Sequence, residues 1–395
     1  MQLKNNLSPF FADMHIHIGA SGTGKPVKIT GSRSLTLLNI LYEAKNKKGL
    51  NMVGIIDCHA PEILEELKQL RREGILKTLD GGGLDIDGLT LIPGSEIEIN
   101  DEYCHGPIHV LVYMPSIEKM EQLSHWLSLR MKNINLSSQR MYGSAKELQE
   151  FVKSLGGLFI PAHIFTPFKS LYGKGVKTSL NEVFEPTMID AVELGLSSNT
   201  EMASKLDELA IYTFLTNSDA HSLEKIAREY QMLSLQEATF EEFKRALHEK
   251  EGREIIANYG LNPYLGKYYN SVCENCLHVY QPNTEACDKC GSTRFIKGVN
   301  DRINELKGTK GAKAVQRKRP PYIHQIPLEF IPGLGPKTLA KLRDAFGTDM
   351  DIIHAASREQ LHQVVKPAIA DHILSARSGE LSIQIGGGGT YGKII

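Results

Sequence analysis

The chain has 395 residues, a formal net charge of −1 and a hydrophobic fraction of 41%, the make-up of a globular protein long enough for more than one core. A near-neutral charge excludes a globally basic nucleic-acid binder and leaves any such contact to local patches. No apolar run approaches the roughly 20 residues that span a bilayer, and the start of the chain has no basic region followed by an apolar one; the expectation is a cytoplasmic protein with no membrane partner.

From residue 10 to about 221 one theme recurs: a short apolar run, a polar cluster, then a segment with helical character. The runs are "FFADMHIH", "MVGIIDCH", "LTLIPGSEIEI", "PIHVLVYM", "GGLFIPAHI", "DAVELGLSS" and "TFLTNSDAH". Strands alternating with helices predict βαβ units and a largely parallel α/β sheet. Most runs end in His, Asp, Glu, Ser or Asn, the pattern of a barrel whose site lies at the C-terminal strand ends. Residues 222–257 read as helical, with Thr239-Phe-Glu-Glu242 as a capping box. After "NPYLGKYYNS" the character changes to two CxxC pairs, then to "KGVNDRINELKGTKGAKAVQRKRPP", a basic stretch that reads as a flexible linker attractive to phosphate. From Ile326 a small helical module follows, ending in "IGGGGTYGKII".

In "ADMHIH" alternate side chains share a strand face, so Asp13, His15 and His17 stand together. Alone this is either a metal site or a polar strand face. Recurrence favours metal: Asp57 and His59 end the second run, Glu96 the third, His163 the fifth and Asp219 with His221 the seventh, while His109 lies within the fourth. Imidazole and carboxylate are the ligands that hold zinc, manganese or iron. The plainer reading, hydrogen-bonded polar residues, must explain each cluster separately.

On these residues the chain resembles the PHP (polymerase and histidinol phosphatase) domain over roughly residues 10–225. The resemblance implies a distorted seven-stranded (β/α) barrel with a two- or three-metal centre that hydrolyses phosphate esters. It carries metal-ligand roles onto His15, His17, Asp57, Glu96, His109, His163, Asp219 and His221, and catalytic roles onto Asp219, His221 and Asp57. The barrel metals expected are zinc, with manganese or magnesium as alternatives. A further histidine that many members carry after the first strand has no counterpart in "GASGTGKPVKITGS", which offers Lys25 as a catalytic candidate instead. The family's Asp-His pair is spread as Asp57-Cys58-His59, which displaces His59 and makes Asp57 the better ligand candidate. Gly19-x4-Gly24-Lys25 opens like a phosphate-binding P-loop, but Pro26 stands where a Ser or Thr hydroxyl is needed and removes a backbone donor. Nucleoside triphosphate binding is not expected, although Lys25 or the loop amides can touch a substrate phosphate.

Cys273-x2-Cys276-x10-Cys287-x2-Cys290 predicts two knuckles closing one structural zinc site, with a redox dithiol as the alternative. "IPLEFIPGLGPKTLAKLRDAFG" has the form of a helix-hairpin-helix, in which the Gly333 and Gly335 backbone and Lys337 hold a DNA phosphate without reading sequence; an ordinary helical hairpin is the alternative. "KPAIADHILSARSGELS" reads as a partial second copy. The expected units are a metal-dependent barrel over 1–265, a four-cysteine zinc module over 266–296, a basic linker over 297–325 and an all-α helix-hairpin-helix region over 326–395.

That order resembles the endonuclease Q family over nearly the whole chain. The resemblance implies a DNA-repair endonuclease that cuts the phosphodiester 5′ to a deaminated base (uracil, hypoxanthine, xanthine) or an abasic site, leaving 3′-hydroxyl and 5′-phosphate ends. Its partner is then damaged DNA, duplex or single-stranded. A flipped base needs both acceptors and donors, which Glu193, Ser197 and Asn217 supply at the sixth and seventh strand ends; Glu193 could equally be a neighbour of the metal site. A PHP phosphatase for small phosphomonoesters, a PHP exonuclease, and a DNA-binding scaffold with a decayed site remain as alternatives.

Overall fold

All seven apolar runs form strands: β1 Ser8–Ile16, β2 Met52–Ile55, β3 Leu89–Ile99, β4 Ile108–Tyr113, β5 Leu158–Pro161, β6 Ala191–Glu193 and β7 Thr213–Leu215. The computed structural model describes residues 6–266, 268–279, 284–307, 317–380, 383–384 and 393–394. β1, β2 and β3 pair in parallel, whereas β4 runs antiparallel to both β3 and β5. The expectation of a largely parallel sheet is corrected at β4, because residues 100–107 are too few for the crossover of a dozen or more residues that a parallel neighbour requires. The reversal brings the start of β4, with His109, to the same edge as the C-terminal ends of its neighbours. β6 and β7 pair in parallel. Pairs of hydrogen bonds tie β5 to β6 (Asp190 N to Phe159 O, 3.0 Å, and Ile164 N to Glu193 O, 2.9 Å) and the end of β7 to β1 (His17 N to Ala220 O, 3.2 Å, and Ala220 N to His15 O, 3.1 Å).

The strands read as almost unbroken apolar runs because both faces are covered. Val53, Ile55, Leu91, Val110 and Val112 join one core with the flanking helices α1 (Pro61–Arg72), α2 (Ile117–Ser128) and α3 (Ala145–Ser154). Their alternates Met52, Ile92, Leu111 and Tyr113 form a second. Tyr113 fits because Gly54 and Gly94 lie against its ring; a Cβ at either would come within 2.8–2.9 Å of it. Its hydroxyl donates to the Met14 carbonyl.

Residues 222–257 are not one helix. They form β8 (Tyr230–Leu235), α4 (Phe240–Leu247) and β9 (Glu254–Gly260). "YQMLSL" alternates too weakly to be told from a helix, and pairing with β1 and β9 decides its state. Half the expected capping box forms: Thr239 Oγ1 accepts from Glu242 N at 3.3 Å, while the Glu242 carboxylate takes Gln236 N and Arg253 instead.

The stretch expected as a basic linker contains α5 (Val299–Leu306), whose Val299, Ile303 and Leu306, at i, i+4 and i+7, are buried in the main core. Its arginines serve backbone carbonyls: Arg302 donates to Tyr172 O, and Arg319 to Leu209 O at 2.8 Å with its guanidinium over Phe214. Lys310, Lys313 and most of the glycine-rich tail lie outside the described residues. β10 (Tyr322–His324) then adds a parallel strand to β9. α6 (Pro336–Phe346), α7 (Arg358–Val364) and α8 (Pro367–Ser378) enclose a third core. The first arm of the expected hairpin is only a 3-10 turn, Leu328–Phe330, confined between Pro327 and Pro332. This helical region is fastened to the sheet by a buried Lys48–Asp349 ion pair at 3.3 Å and by His354, which stacks on Phe11 and lies 2.7 Å from the Tyr230 hydroxyl.

Candidate active site

The strand-end side chains meet. His15 and His17 are fully buried on one face of β1. His15 turns Nδ1 to Glu193 Oε1 (2.9 Å) and Nε2 to Asp219 Oδ1 (3.3 Å) and Glu96 Oε1 (3.6 Å). His17 repeats the arrangement, with Nδ1 3.0 Å from Asp57 Oδ2, and Nε2 3.4 Å from Asp219 Oδ1 and 3.6 Å from Glu96 Oε2. Beyond Glu96 stand His109 Nδ1 at 2.9 Å and His163 Nε2 at 3.3 Å. His221 Nδ1 lies 3.0 Å from the Asp219 carbonyl oxygen. The donors form three overlapping groups, His15–His17–Glu96, His17–Asp219–His221 and Glu96–His109–His163, each with ligand atoms within 4.8 Å of one another.

These residues fit a metal centre. Among the described residues, Nε2 of His15, of His17 and of His109 is buried without a hydrogen-bond partner, an arrangement costly enough to call for a partner. Burial opposes a charge on His15, yet Glu193, Asp219 and Glu96 push it up to about 10; the carboxylates leave negative potential for a cation to meet. Burial likewise opposes ionisation of Glu96 and Asp219, but His109 beside the first and His15 beside the second hold both well below the usual carboxylate range. His163 and Asp219 adopt left-handed backbone, φ 31° and 46°, strain of the kind that collects at functional sites.

A second row stands behind the first. Glu193 engages both oxygens, holding His15 Nδ1, Asn217 Nδ2 (2.8 Å) and His163 N (2.8 Å). Asp57, expected as a ligand and catalytic group, lies in this row: its Oδ2 accepts from Ile18 N at 2.8 Å and faces His17 Nδ1, and it belongs to none of the three donor groups. Asp13 is turned to the backbone, accepting from Ser218 N and Ala227 N. His59 pairs with Ser95 Oγ at 2.7 Å, away from the cluster. Lys25 is also apart: it is 74% exposed and pairs with Glu62. The lysine that reaches the cluster is Lys28, 3.3 Å from Glu96 Oε2 and 2.6 Å from Ser138 Oγ. Sequence reasoning missed Lys28 and the serines Ser137 and Ser138, which approach His17 and Glu96 from loops with no periodic signal.

A cavity of about 760 Å³ opens beside the cluster, sharing His163, Glu193 and Asp219 with it and lined also by Leu265, Ile326 and Phe330. Lys225 and Arg228 add positive charge to its wall, and the Lys225 ammonium lies 4.5 Å from the Phe330 ring centre. Ser197 and Asn217 also line it. Asn217 Oδ1 is taken by Met14 N and Gln231 Nε2, and its Nδ2 donates once, to Glu193, so of the three expected base-reading residues the Ser197 hydroxyl and one Asn217 N–H keep free capacity among the described residues. The hairpin turn follows Pro332 at this rim: Gly333 has φ +80°, Gly335 caps α6 and Lys337 is exposed in its first turn.

The four cysteines form a separate site. Cys273 and Cys290 Sγ are 3.5 Å apart, Cys276 and Cys287 Sγ 3.6 Å, and all four lie within 4.8 Å of one another. That is far beyond a disulfide bond and close to the roughly 3.8 Å edge of a tetrahedron with zinc–sulfur bonds of about 2.3 Å. Backbone amides of Cys276 and Asn275 pull the Cys273 thiol down to about 6, toward a thiolate.

An α/β sheet converging histidines and carboxylates on one edge, with a four-cysteine cluster appended, defines two candidate metal sites, one beside a cavity and one without. No protein-family model matches the chain. Over 388 residues, 98% of its length, it is 57% identical to the whole of the uncharacterised protein YqxK of Bacillus subtilis (strain 168). The lesion-specific endonuclease PfuEndoQ of Pyrococcus furiosus superposes with a TM-score of 0.83 at 31% identity, covering 98% of this chain and 95% of that one. Endonuclease Q crystallised with a 27-mer duplex bearing an abasic lesion at the active site superposes at 0.81 and 30% identity, covering 98% and 96%. The chain belongs to the endonuclease Q family, and it is an endonuclease.

Proposed function

We propose that this enzyme cuts DNA 5′ to a deaminated base or an abasic site, with the flipped nucleotide held in the 760 Å³ cavity. The observation that carries the reading is that this cavity shares His163 and Asp219 with the donor cluster, so a nucleotide seated there lays its phosphodiester against the metal centre. The endonuclease Q crystal with an abasic lesion at its active site supports it. We read the seven strands and their helices as a distorted PHP barrel over 1–265, the cysteine site as a structural zinc module over 266–296, and 326–395 as a shortened helix-hairpin-helix region.

His15, His17, Glu96 and Asp219 would hold one ion, Glu96, His109 and His163 a second, with His221 beside the first; zinc, manganese and magnesium are the candidates. Divalent cations bound there lower the pKa of water and stabilise charge on phosphoryl oxygens. The chain's own residues do the rest. Glu193 and Asp57 grip the Nδ1 sides of His15 and His17 so that both Nε2 atoms face the centre. The Ser197 hydroxyl offers a donor to the carbonyl of a deaminated base, and Glu193 and Asn217 shape the wall. The Gly333 and Gly335 backbone and Lys337 receive a phosphate of the flanking strand.

The test is incubation of metal-loaded protein with labelled duplexes carrying one uracil, hypoxanthine or abasic site, beside an undamaged control and an Asp219→Ala variant. Nicking directed to the lesion and lost in the variant is expected. Phosphate release from small esters without nicking would replace this reading with a phosphatase.

A further inference from the structure

The loop after β5 carries a phenyl ring that the chain leaves uncovered. Phe168 is 42% exposed, yet the backbone beneath it is tied down. The Thr166 hydroxyl lies 3.1 Å from the carbonyl oxygens of both His163 and Phe168, and His109 N donates to Lys169 O at 2.9 Å. Gly173 packs so closely on this loop that a Cβ there would come within 1.9 Å of Thr166 O. Lys169 holds a left-handed backbone, φ 50°, with its ammonium fixed on Glu98 at 2.8 Å. The ring is thus mounted on the strand ends that carry His109 and His163, and little ordering entropy is lost when a partner stacks on it.

Its place is the rim of the cavity. His163 and Thr166 line the wall and Phe168 does not, while Tyr268, which does, meets the Phe168 ring edge-to-face at 5.6 Å and 77°. The Lys174 ammonium lies 5.6 Å from the ring centre. Phe330 is equally exposed, at 42%, but it belongs to the wall and Lys225 covers its ring. One phenyl therefore faces what enters the cavity, and the other faces what stays outside. We propose that Phe168 fills the space left in the base stack when a nucleotide swings into the cavity, with Lys174 on the adjoining phosphate. The proposal rests on the flipped-nucleotide reading of that cavity. Extruding a base from a duplex costs its stacking and pairing, and an apolar side chain inserted at the vacated step offsets part of that cost. A phenyl ring serves at any sequence, because every base has a π-face. A lesion already outside the stack, in a single strand or a one-nucleotide bulge, leaves no gap to fill.

The test compares paired with unpaired lesions in single-turnover nicking by the metal-loaded, full-length protein. Phe168→Ala should slow nicking at uracil paired with adenine roughly tenfold or more, the scale of one lost stacking partner. Nicking at the same uracil in a bulge or a single strand should stay near the wild-type rate, and Phe168→Trp should restore the paired substrate. 2-Aminopurine beside the uracil, dark when stacked, reads the same event without cleavage: it should stay dark on Asp219→Ala protein and brighten when Phe168→Ala is added. Equal loss on paired and unpaired uracil would mean that the ring only supports His163, and no loss on either would leave it without a part in cutting; each result overturns the proposal. If Phe168→Ala does not fold, Phe168→Leu, which keeps apolar contact with Tyr268 but not the flat face, takes its place with a smaller loss of the same kind. A wild type that nicks at no lesion would remove the reading of the cavity itself, whereas lesion-directed nicking with no loss confined to paired uracil removes only this proposal.

Discussion

The cysteine cluster and the strand-end cluster gather donor atoms at similar separations but are built in opposite ways. The four thiols come from one short segment, Cys273 to Cys290, and lie within 4.8 Å of one another. The strand-end donors span His15 to His221, depend on every intervening strand, are backed by Glu193 and Asp57, and border a 760 Å³ cavity. A closed local site can do no more than hold its segment folded. A site assembled by the whole fold, with one side open, can meet a substrate.

Five substitutions probe that contrast, beginning with the largest effect. Asp219→Ala removes the oxygen shared by His15 and His17, and single-turnover nicking should fall by roughly three orders of magnitude, the equivalent of several kcal/mol of charge stabilisation. Glu193→Gln keeps the shape but removes the charge behind His15; zinc titration should show strand-end affinity weakened about 10–100-fold, as expected for a partner standing behind a ligand. Cys276→Ser should cost one zinc per chain and melt the module in hydrogen exchange, while strand-end metal and most nicking of a short duplex survive. If it abolishes nicking as Asp219→Ala does, the contrast drawn above is wrong. Ser197→Ala should leave metal content alone and reduce the preference for uracil over thymine about tenfold, the scale of one hydrogen bond. A smaller effect is expected from Lys337→Ala: binding weakened a few-fold for all sequences, with the salt dependence shallower by about one phosphate contact.

Much of this was legible in the sequence, for physical reasons. The seven strands announce themselves because a sheet covered on both faces needs unbroken apolar runs, and the donors announce themselves because each closes a run. Which donors stand in front is a matter of ring orientation: Asp57 and Asp219 look alike in sequence, but one is captured by Ile18 N and His17 Nδ1 while the other points between two Nε2 atoms. Lys28 was hidden because the turn from Gly19 to Gly24, not any periodicity, decides which lysine points inward. α5 was hidden by composition, since its polar residues Asn300, Asp301, Arg302, Asn304 and Glu305 outnumber the Val299, Ile303 and Leu306 that anchor it. The absent first arm of the hairpin is a matter of two prolines five residues apart.

β10 has a consequence for how this chain can be divided. β9 is bonded to β8 on one side and to Tyr322–His324 on the other. Removing everything after α5 would bare the backbone of Asn258, Tyr259 and Gly260 along a sheet edge, an invitation to pairing between molecules. It would also strip the cavity of the wall made by Ile326 and Phe330. The catalytic half is thus not a portable cassette: gene fusion or truncation that separates it from the last third yields an unfinished sheet.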